Sequence, residues 1–213
     1  MNLDKKFPSK IAIFPLSNAI FFPRTVLPLN IFEERYIQLV NDCMKEKRLF
    51  GMIQPKIKIG QNREIYKVGC LGKIISFNET ADRRFIITLS GIIRFRVKKE
   101  LNTNKLYREF EVDYSDFMKD LQNSDGEEKN KEKINLLNKI KIFFKKKNYL
   151  ISFDEFEKLS FDQLISTVCM IAPFSSEEKQ KLIESVDIED KIKILNEIIN
   201  FNLLDNLQNK TIQ

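Results

Sequence analysis

Residues 11–47 read IAIFPLSNAIFFPRTVLPLNIFEERYIQLVNDCMKEK, and the hydrophobic period changes partway through them. Ile11–Phe14 and Val26–Phe32 are short apolar runs on either side of a Ser17–Arg24 loop, the pattern of strands joined by turn residues. From Glu33 the spacing becomes three and four. Tyr36, Ile37, Val40, Cys43 and Met44 fall on one side of a helix that runs to Lys47, as an amphipathic helix requires. Glu33 and Glu34 at its start and Lys45 and Lys47 at its end complement the helix dipole.

Outward from this stretch the strand pattern continues to about Tyr114. Leu49–Gln54 reads as a strand, Ile57–Glu64 as a polar loop, and Gly69–Phe77, Arg84–Ser90, Ile92–Lys98 and Tyr107–Tyr114 as further strands, with Asn78–Arg83 as a hairpin turn. Short strands with turn signals between them predict a small closed or nearly closed sheet. Residues 115–131, containing Asn123-Ser124-Asp125-Gly126 and a mixed charge run, read as a linker. Beyond it the spacing is helical: Ile134, Leu137, Ile140 and Phe144 share a face, Leu159–Ala172 ends near Pro173, Ser175 or Ser176 caps a short helix, and Ile188–Leu207 forms the last. The class is α+β, a strand-rich part with one helix followed by a helical bundle.

Among 213 residues there is no His, which removes Ser-His-Asp triads, Cys-His proteases, His-ligated metals and imidazole acid–base catalysis. Cys43, Cys70 and Cys169 are far apart with no C-x-x-C, so no disulfide framework or Cys-rich metal site is expected, and the thiols read as buried apolar groups in a reducing compartment. Neither a phosphate-cradling G-x-x-x-x-G-K-[ST] nor a G-x-S-x-G elbow is present. The pairs Glu33/Glu34, Glu127/Glu128 and Glu177/Glu178 lie at helix starts or in the linker, where dipole or solvation explains them. No enzyme activity, cofactor or metal is expected. Lys5, Lys6 and Lys10 before the uncharged Ile11–Pro23 run imitate an export signal, but Pro15, Ser17 and Asn18 and the lack of an A-x-A site argue against one. The Gln163–Ser176 run is broken by Pro173 and falls short of the ~20 residues of a membrane span. A cytoplasmic protein without a membrane partner is expected.

Net charge is +6, unevenly placed: residues 1–117 hold 21 Lys and Arg against 13 Asp and Glu, and the remainder hold 15 against 17. The basic half reads either as a site for an anionic partner such as RNA or as the Lys-rich composition of an AT-rich genome. Lys145-Lys146-Lys147 reads as a charged helix C-terminus or an anion contact.

Four stretches carry a resemblance: residues 11–36, FGMI (50–53), YKVGCLGKI (66–74) and GIIRFRV (91–97). In order and spacing they resemble the N-terminal, substrate-binding domain of Lon, the ATP-dependent protease, and the stand-alone proteins built on that domain. LSFDQLISTVCMIAPFSSEEKQKLIESVD (159–187) resembles the family's helical extension. The resemblance implies a PUA-like small β-barrel over 1–117, a linker over 118–132 and an α-helical bundle over 133–213. It implies a non-catalytic module that binds unfolded or exposed polypeptide, apart from the ATPase and peptidase modules of the full enzyme, alone or with a protease or chaperone, and able to form homo-oligomers. RNA binding, which other PUA-like barrels perform, is the alternative.

Among the matching residues, Pro23 and Pro28 shape the loop and strand entry, and Gly51, Gly69 and Gly91 fit tight turns or close backbone approach. Phe32 and Tyr36 read as core anchors, Glu33 and Arg35 as a helix start, and Arg35 or Arg94 as a bridge to carboxylates or carbonyls inside the fold. One departure is Asp82-Arg83-Arg84 where the family commonly has Asp-Gly-Arg. If Arg83 takes positive φ it carries strain of about 1 kcal/mol. Because consecutive aromatics in one loop are not expected all to face a single core, Ile20, Phe21, Phe22 and Pro23, extended by Met52 and Ile53, form the candidate polypeptide-binding surface. The competing reading makes them the cap of the barrel's open end. On the binding reading, Phe21→Ala with Phe22→Ala weakens client capture and leaves the thermal midpoint nearly unchanged.

Overall fold

The computed structural model describes residues 7–17, 19–56, 64–122, 129–149 and 151–208, without the side chains of 129, 130 and 205–208. Most of the expected 57–64 loop, Lys5 and Lys6, and the Asn123–Gly126 turn lie outside the described residues. The chain divides into two compact units, Met1–Leu121 and Gln122–Gln213.

In the first unit β1 (Lys10–Pro15), β2 (Val26–Ile31), β3 (Leu49–Ile53), β4 (Val68–Glu79), β5 (Phe85–Leu101) and β6 (Arg108–Asp113) form one sheet in the order β2-β5-β4-β3-β1-β6. β1 and β3 run parallel, with Ile13 beside Gly51, and the other neighbours are antiparallel. The length of β5 governs the topology. Its first half pairs with β2 and β4, and its second half reaches β6 through Arg96↔Asp113 and Val97↔Val112. Pairing therefore runs in a closed circuit β5-β4-β3-β1-β6-β5, with β2 left outside it as a terminal strand.

The two strands expected over 84–98 are this single strand. Gly91 does not end it, because a Cβ there would lie 2.0 Å from the Phe22 carbonyl oxygen. Gly91 is the place where another stretch of backbone crosses the sheet, and glycine is needed for that approach. A register shift between Leu71↔Ile93 and Gly72↔Gly91 absorbs the crossing as a bulge. Of the tight-turn and close-approach readings of Gly51, Gly69 and Gly91, close approach holds for all three. Added Cβ atoms at Gly51 and Gly69 would stand 2.6 Å from Ile13 Cδ1 and 2.4 Å from the Met52 carbonyl.

Helix α1 (Glu34–Lys45) buries Tyr36, Leu39, Val40 and Cys43, and Tyr36 stacks on Phe14 of β1 with ring centroids 4.0 Å apart. Phe32, expected beside Tyr36 in the core, is instead 64% exposed. Ile31 already faces inward, and strand alternation turns the next residue out. Arg83 does adopt φ 63, in a turn closed by Thr80 N to Arg84 O at 2.9 Å.

Arg94 makes the internal bridge that the sequence left between two arginines. Its side chain is 2% exposed, and Nη2 lies 2.7 Å from Asp120 Oδ1, with Nε 2.9 Å from Oδ2. The Arg94 backbone N–H also donates to Asp120 Oδ2, and Arg24 donates to the Asp120 carbonyl. Phe117 lies under the Arg94 guanidinium at 4.5 Å. Asp120 is therefore held by the first unit, in a 3-10 segment over Ser115–Leu121, although the sequence places it in the linker. Arg35 stays local, 2.7 Å from Glu33 at the surface and over the Tyr36 ring.

The second unit contains α2 (Lys129–Lys146), α3 (Asp154–Lys158), α4 (Phe161–Ile171), α5 (Ser176–Glu184) and α6 (Ile188–Gln208). Leu137, Ile140, Phe143, Phe144, Leu164, Ile165, Leu182, Leu195 and Ile199 are buried, whereas Ile134 is exposed. Reciprocal caps start α4 (Ser160 with Gln163) and α5 (Ser175 with Glu178), each satisfying two otherwise orphan N–H groups. Among the described residues no helix is long and apolar enough to cross a membrane.

A buried carboxylate that neutralises a buried guanidinium cannot be removed cheaply. Asp120→Ala should cost about 3–5 kcal/mol in urea unfolding, and pairing Asp120→Leu with Arg94→Met should cost less than that single change. Equal losses would mean that the charge pair is not what holds the segment.

Candidate functional site

Ile20, Phe21, Phe22, Pro23, Met52 and Ile53 are all buried, so the exposed loop expected there is corrected to part of the core. The aromatics can face inward in succession because the sheet has a gap for them. Gly72 and Gly91 are register partners on β4 and β5, which leaves room that the side chains of Leu89 and Phe21 share over Gly72. The Phe21 ring lies over Gly72 and the Phe22 carbonyl over Gly91. Thr25 holds the crossing by donating Oγ1–H to the Phe22 carbonyl at 2.7 Å. Pro28, expected at a strand entry, sits mid-strand opposite Thr88.

A group of exposed apolar side chains of the first unit lies on the outer side of β2, β5 and β4, with Leu106 exposed separately between β5 and β6. Register pairing gives its rows: Val26, Ser90 and Lys73; Pro28, Thr88 and Ser76; Asn30, Ile86 and Asn78. Phe32 and Arg84 follow, with the guanidinium 6.0 Å from the ring. Ile75 is exposed in the register shift between Ile74 and Ser76. Val26, Pro28, Phe32, Ile75 and Ile86 are thus apolar groups exposed amid Ser, Thr and Asn, and only Lys73 and Arg84 among the residues named here are charged. Arg84 is itself paired with Asp82 at 2.8 Å. A hydrogen bond from Thr80, followed by the Arg84 charge, holds the Asp82 carboxyl below its ordinary value. Sequence reading missed this face because it is built from three strands whose register only the fold supplies.

A separate cleft of about 440 Å³ between β1, α1 and β6 is lined by Lys10, Asp42, Cys43, Glu46, Lys105 and Tyr107 among others. Its polar groups neutralise one another: Tyr107 donates to Asp42 at 2.9 Å, and Lys105 pairs with Glu109 at 2.9 Å. Burial, followed by the charges of Glu46 and Asp42, pushes the Cys43 thiol up to about 12. Burial likewise raises Tyr107 to about 12. At neutral pH neither is ionised, so the cleft supplies no thiolate or phenolate nucleophile. No cluster of three or more metal-ligating side chains occurs among the described residues.

Part of the basic character of this unit is taken up by ion pairs. Arg35, Arg84, Arg94, Arg96, Lys98, Lys105 and Arg108 are each within 4.0 Å of a carboxylate.

A mixed sheet with this strand order and a helical unit after it is a fold found in solved structures. The N-terminal domain of Lon protease from the Mycobacterium avium complex superposes with a TM-score of 0.65 and 12% identity, covering 90% of this chain and 98% of that one. The Lon N-terminal domain protein of Xanthomonas campestris gives 0.63 and 21% identity over 88% and 97%. The chain belongs to the family of the ATP-dependent protease La (LON) substrate-binding domain, whose model matches residues 10–200. Among curated relatives, the Lon protease of Desulfosudis oleivorans is 26% identical over 93% of this chain and 24% of its own length. That of Malacoplasma penetrans is 26% identical over 82% and 23%. The chain spans about a quarter of the length of these relatives.

Because the Phe22 side chain is fully buried, Phe22→Ala should lower stability by about 3–5 kcal/mol, in place of the unchanged midpoint expected of an exposed residue. A thermal midpoint within a degree of the wild type would return Phe22 to the surface.

Proposed function

We propose that this chain is a non-catalytic polypeptide-binding module that captures exposed, unfolded segments on the outer face of β2, β5 and β4. The observation that carries this reading is the sparsely charged surface on which Val26, Pro28, Phe32, Ile75 and Ile86 stand exposed among short polar side chains. Apolar side chains give affinity for many sequences, and Ser, Thr and Asn can bond a bound backbone. The family description, a substrate-binding domain, supports a polypeptide as the ligand class. The closed circuit of strand pairing supports a PUA-like barrel for the first unit. Three buried cysteines, none of them in a disulfide, accord with a reducing, cytoplasmic setting. A protease or chaperone is the partner class to which such a module delivers its client.

The RNA reading is less favoured, because the cations named above are ion-paired and the apolar face is uncharged along its middle rows. RNA binding would need a run of exposed, unpaired cations.

Phe32→Ser combined with Ile86→Ser should weaken capture of a reduced, carboxymethylated unfolded protein about tenfold, the scale of one lost anchor, with the thermal midpoint unchanged. Salt-sensitive binding of polyuridylate that displaces this client from the wild type would replace the polypeptide reading with the RNA one.

A further inference from the structure

β2 is bonded on one side only, to β5, and the direction of each of its backbone groups follows from the ladder. Gly91 N donates to the Thr25 carbonyl and Arg24 N, at φ 63, donates to the Gly91 carbonyl, both at 2.9 Å, so Gly91 directs its N–H and C=O to the chain entering β2 and occupies the hydrogen-bonded position opposite Thr25. In an unshifted antiparallel ladder such positions recur at every second residue. Leu27, Leu29 and Ile31 therefore direct N–H and C=O to Leu89, Ile87 and Phe85. Val26, Pro28 and Asn30 direct theirs to the open side. Pro28 agrees with this parity, since a residue without N–H is accommodated in a strand where that group would point away from the ladder. Among the described residues no hydrogen bond to the backbone of Val26, Pro28 or Asn30 closes the open side. The edge thus offers the N–H groups of Val26 and Asn30 and the carbonyls of Val26, Pro28 and Asn30.

Protein edges are usually guarded by charge, yet VLPLNI (26–31) contains none. The neighbouring outward residues Ser90, Thr88 and Ile86 are uncharged too. What complements such an edge is an uncharged, extended segment, because a charged one would leave water without gaining a counter-ion.

The geometry points to this open edge as the site where a client segment is added as a further strand, hydrogen-bonded to Val26, Pro28 and Asn30, with alternate apolar side chains on the outer face. The inference rests on the polypeptide-binding reading and adds its mode. A second copy of this chain is a poor occupant for a stereochemical reason. Antiparallel pairing of two β2 edges centred on Pro28 would bond Val26 to Asn30 of the other copy but set each Pro28 carbonyl against the other copy's proline ring nitrogen, which has no N–H to give. Registers shifted by two residues keep fewer bonds. A foreign segment supplies the N–H that Pro28 needs, so Pro28 selects a client over a copy.

The test uses the full chain, a capped nine-residue peptide of alternating Val and Thr, and the same peptide methylated at every backbone nitrogen. The unmodified peptide should slow hydrogen exchange at the Val26 and Asn30 amides tenfold or more, leave Leu27 and Leu29 nearly unaffected, and lose at least tenfold in affinity on methylation. Pro28→Val, which adds a third edge donor, should tighten the peptide several-fold and let the chain dimerise in sedimentation. The exchange and methylation results stand without that variant. Peptide binding with unprotected Val26 and Asn30 amides and no effect of methylation would overturn edge addition while leaving the polypeptide reading intact. Failure of the chain to bind any unfolded protein would overturn both. Protection of the two amides in a wild-type dimer without peptide would make the occupant a second copy.

Discussion

The approach of the Phe22 carbonyl to Gly91 is the constraint from which the rest of the first unit follows. Only a residue without a side chain tolerates backbone at that distance, and its register partner Gly72 lets Phe21 settle beside it. The crossing does more than bury two aromatics. It brings Arg24 N to the Gly91 carbonyl and the Thr25 carbonyl to Gly91 N, and these two bonds set the phase of β2 along β5. Had the chain entered one residue out of phase, Ile31 would face solvent and Phe32 the core. The exposed face and the open edge are consequences of how the core is closed.

A second constraint acts where β5 turns from β2 and β4 toward β6. Arg94 lies on that part of β5, and Asp120 returns from the segment after β6 to neutralise it. The attraction is opposed by desolvation of both ions, so the pair is weak evidence of net stabilisation. Its effect is specificity: a buried guanidinium accepts no substitute for the carboxylate, and this keeps residues 115–121 with the sheet although their composition resembles a linker. The cation–ring contact with Phe117 adds to the same docking.

Much of the fold was legible because local chemistry and tertiary demand agree. Helix α1, a hairpin turn ending at Arg83, a serine cap at Ser175 or Ser176 and most of the strands follow from period and turn residues. What was not legible depends on register. Gly91 looks like a strand boundary until it is paired with Gly72, and Ile20–Pro23 looks like a surface loop until that pair is seen to leave room for it. Phe32 was assigned to the core by its size, whereas alternation after Ile31 sends it out. Asp120 lies far in sequence from the arginine it neutralises, and no periodicity signals such a pairing. The outer face was missed for the same reason, since no single segment contains it.

An uncharged terminal strand beside exposed apolar side chains ordinarily invites edge-to-edge association. Charge would prevent it, but charge would also repel or dehydrate poorly against the unfolded segments the face is read to capture. Proline resolves the conflict with one atom. It leaves the ladder to β5 intact because position 28 bonds outward, it removes the central donor needed for two identical edges to pair, and it keeps the carbonyl that a different strand can use. The same residue that looks like a defect in the middle of a strand is therefore compatible with the sheet, unfavourable to self-pairing and permissive toward a client, and each property follows from its position relative to Gly91.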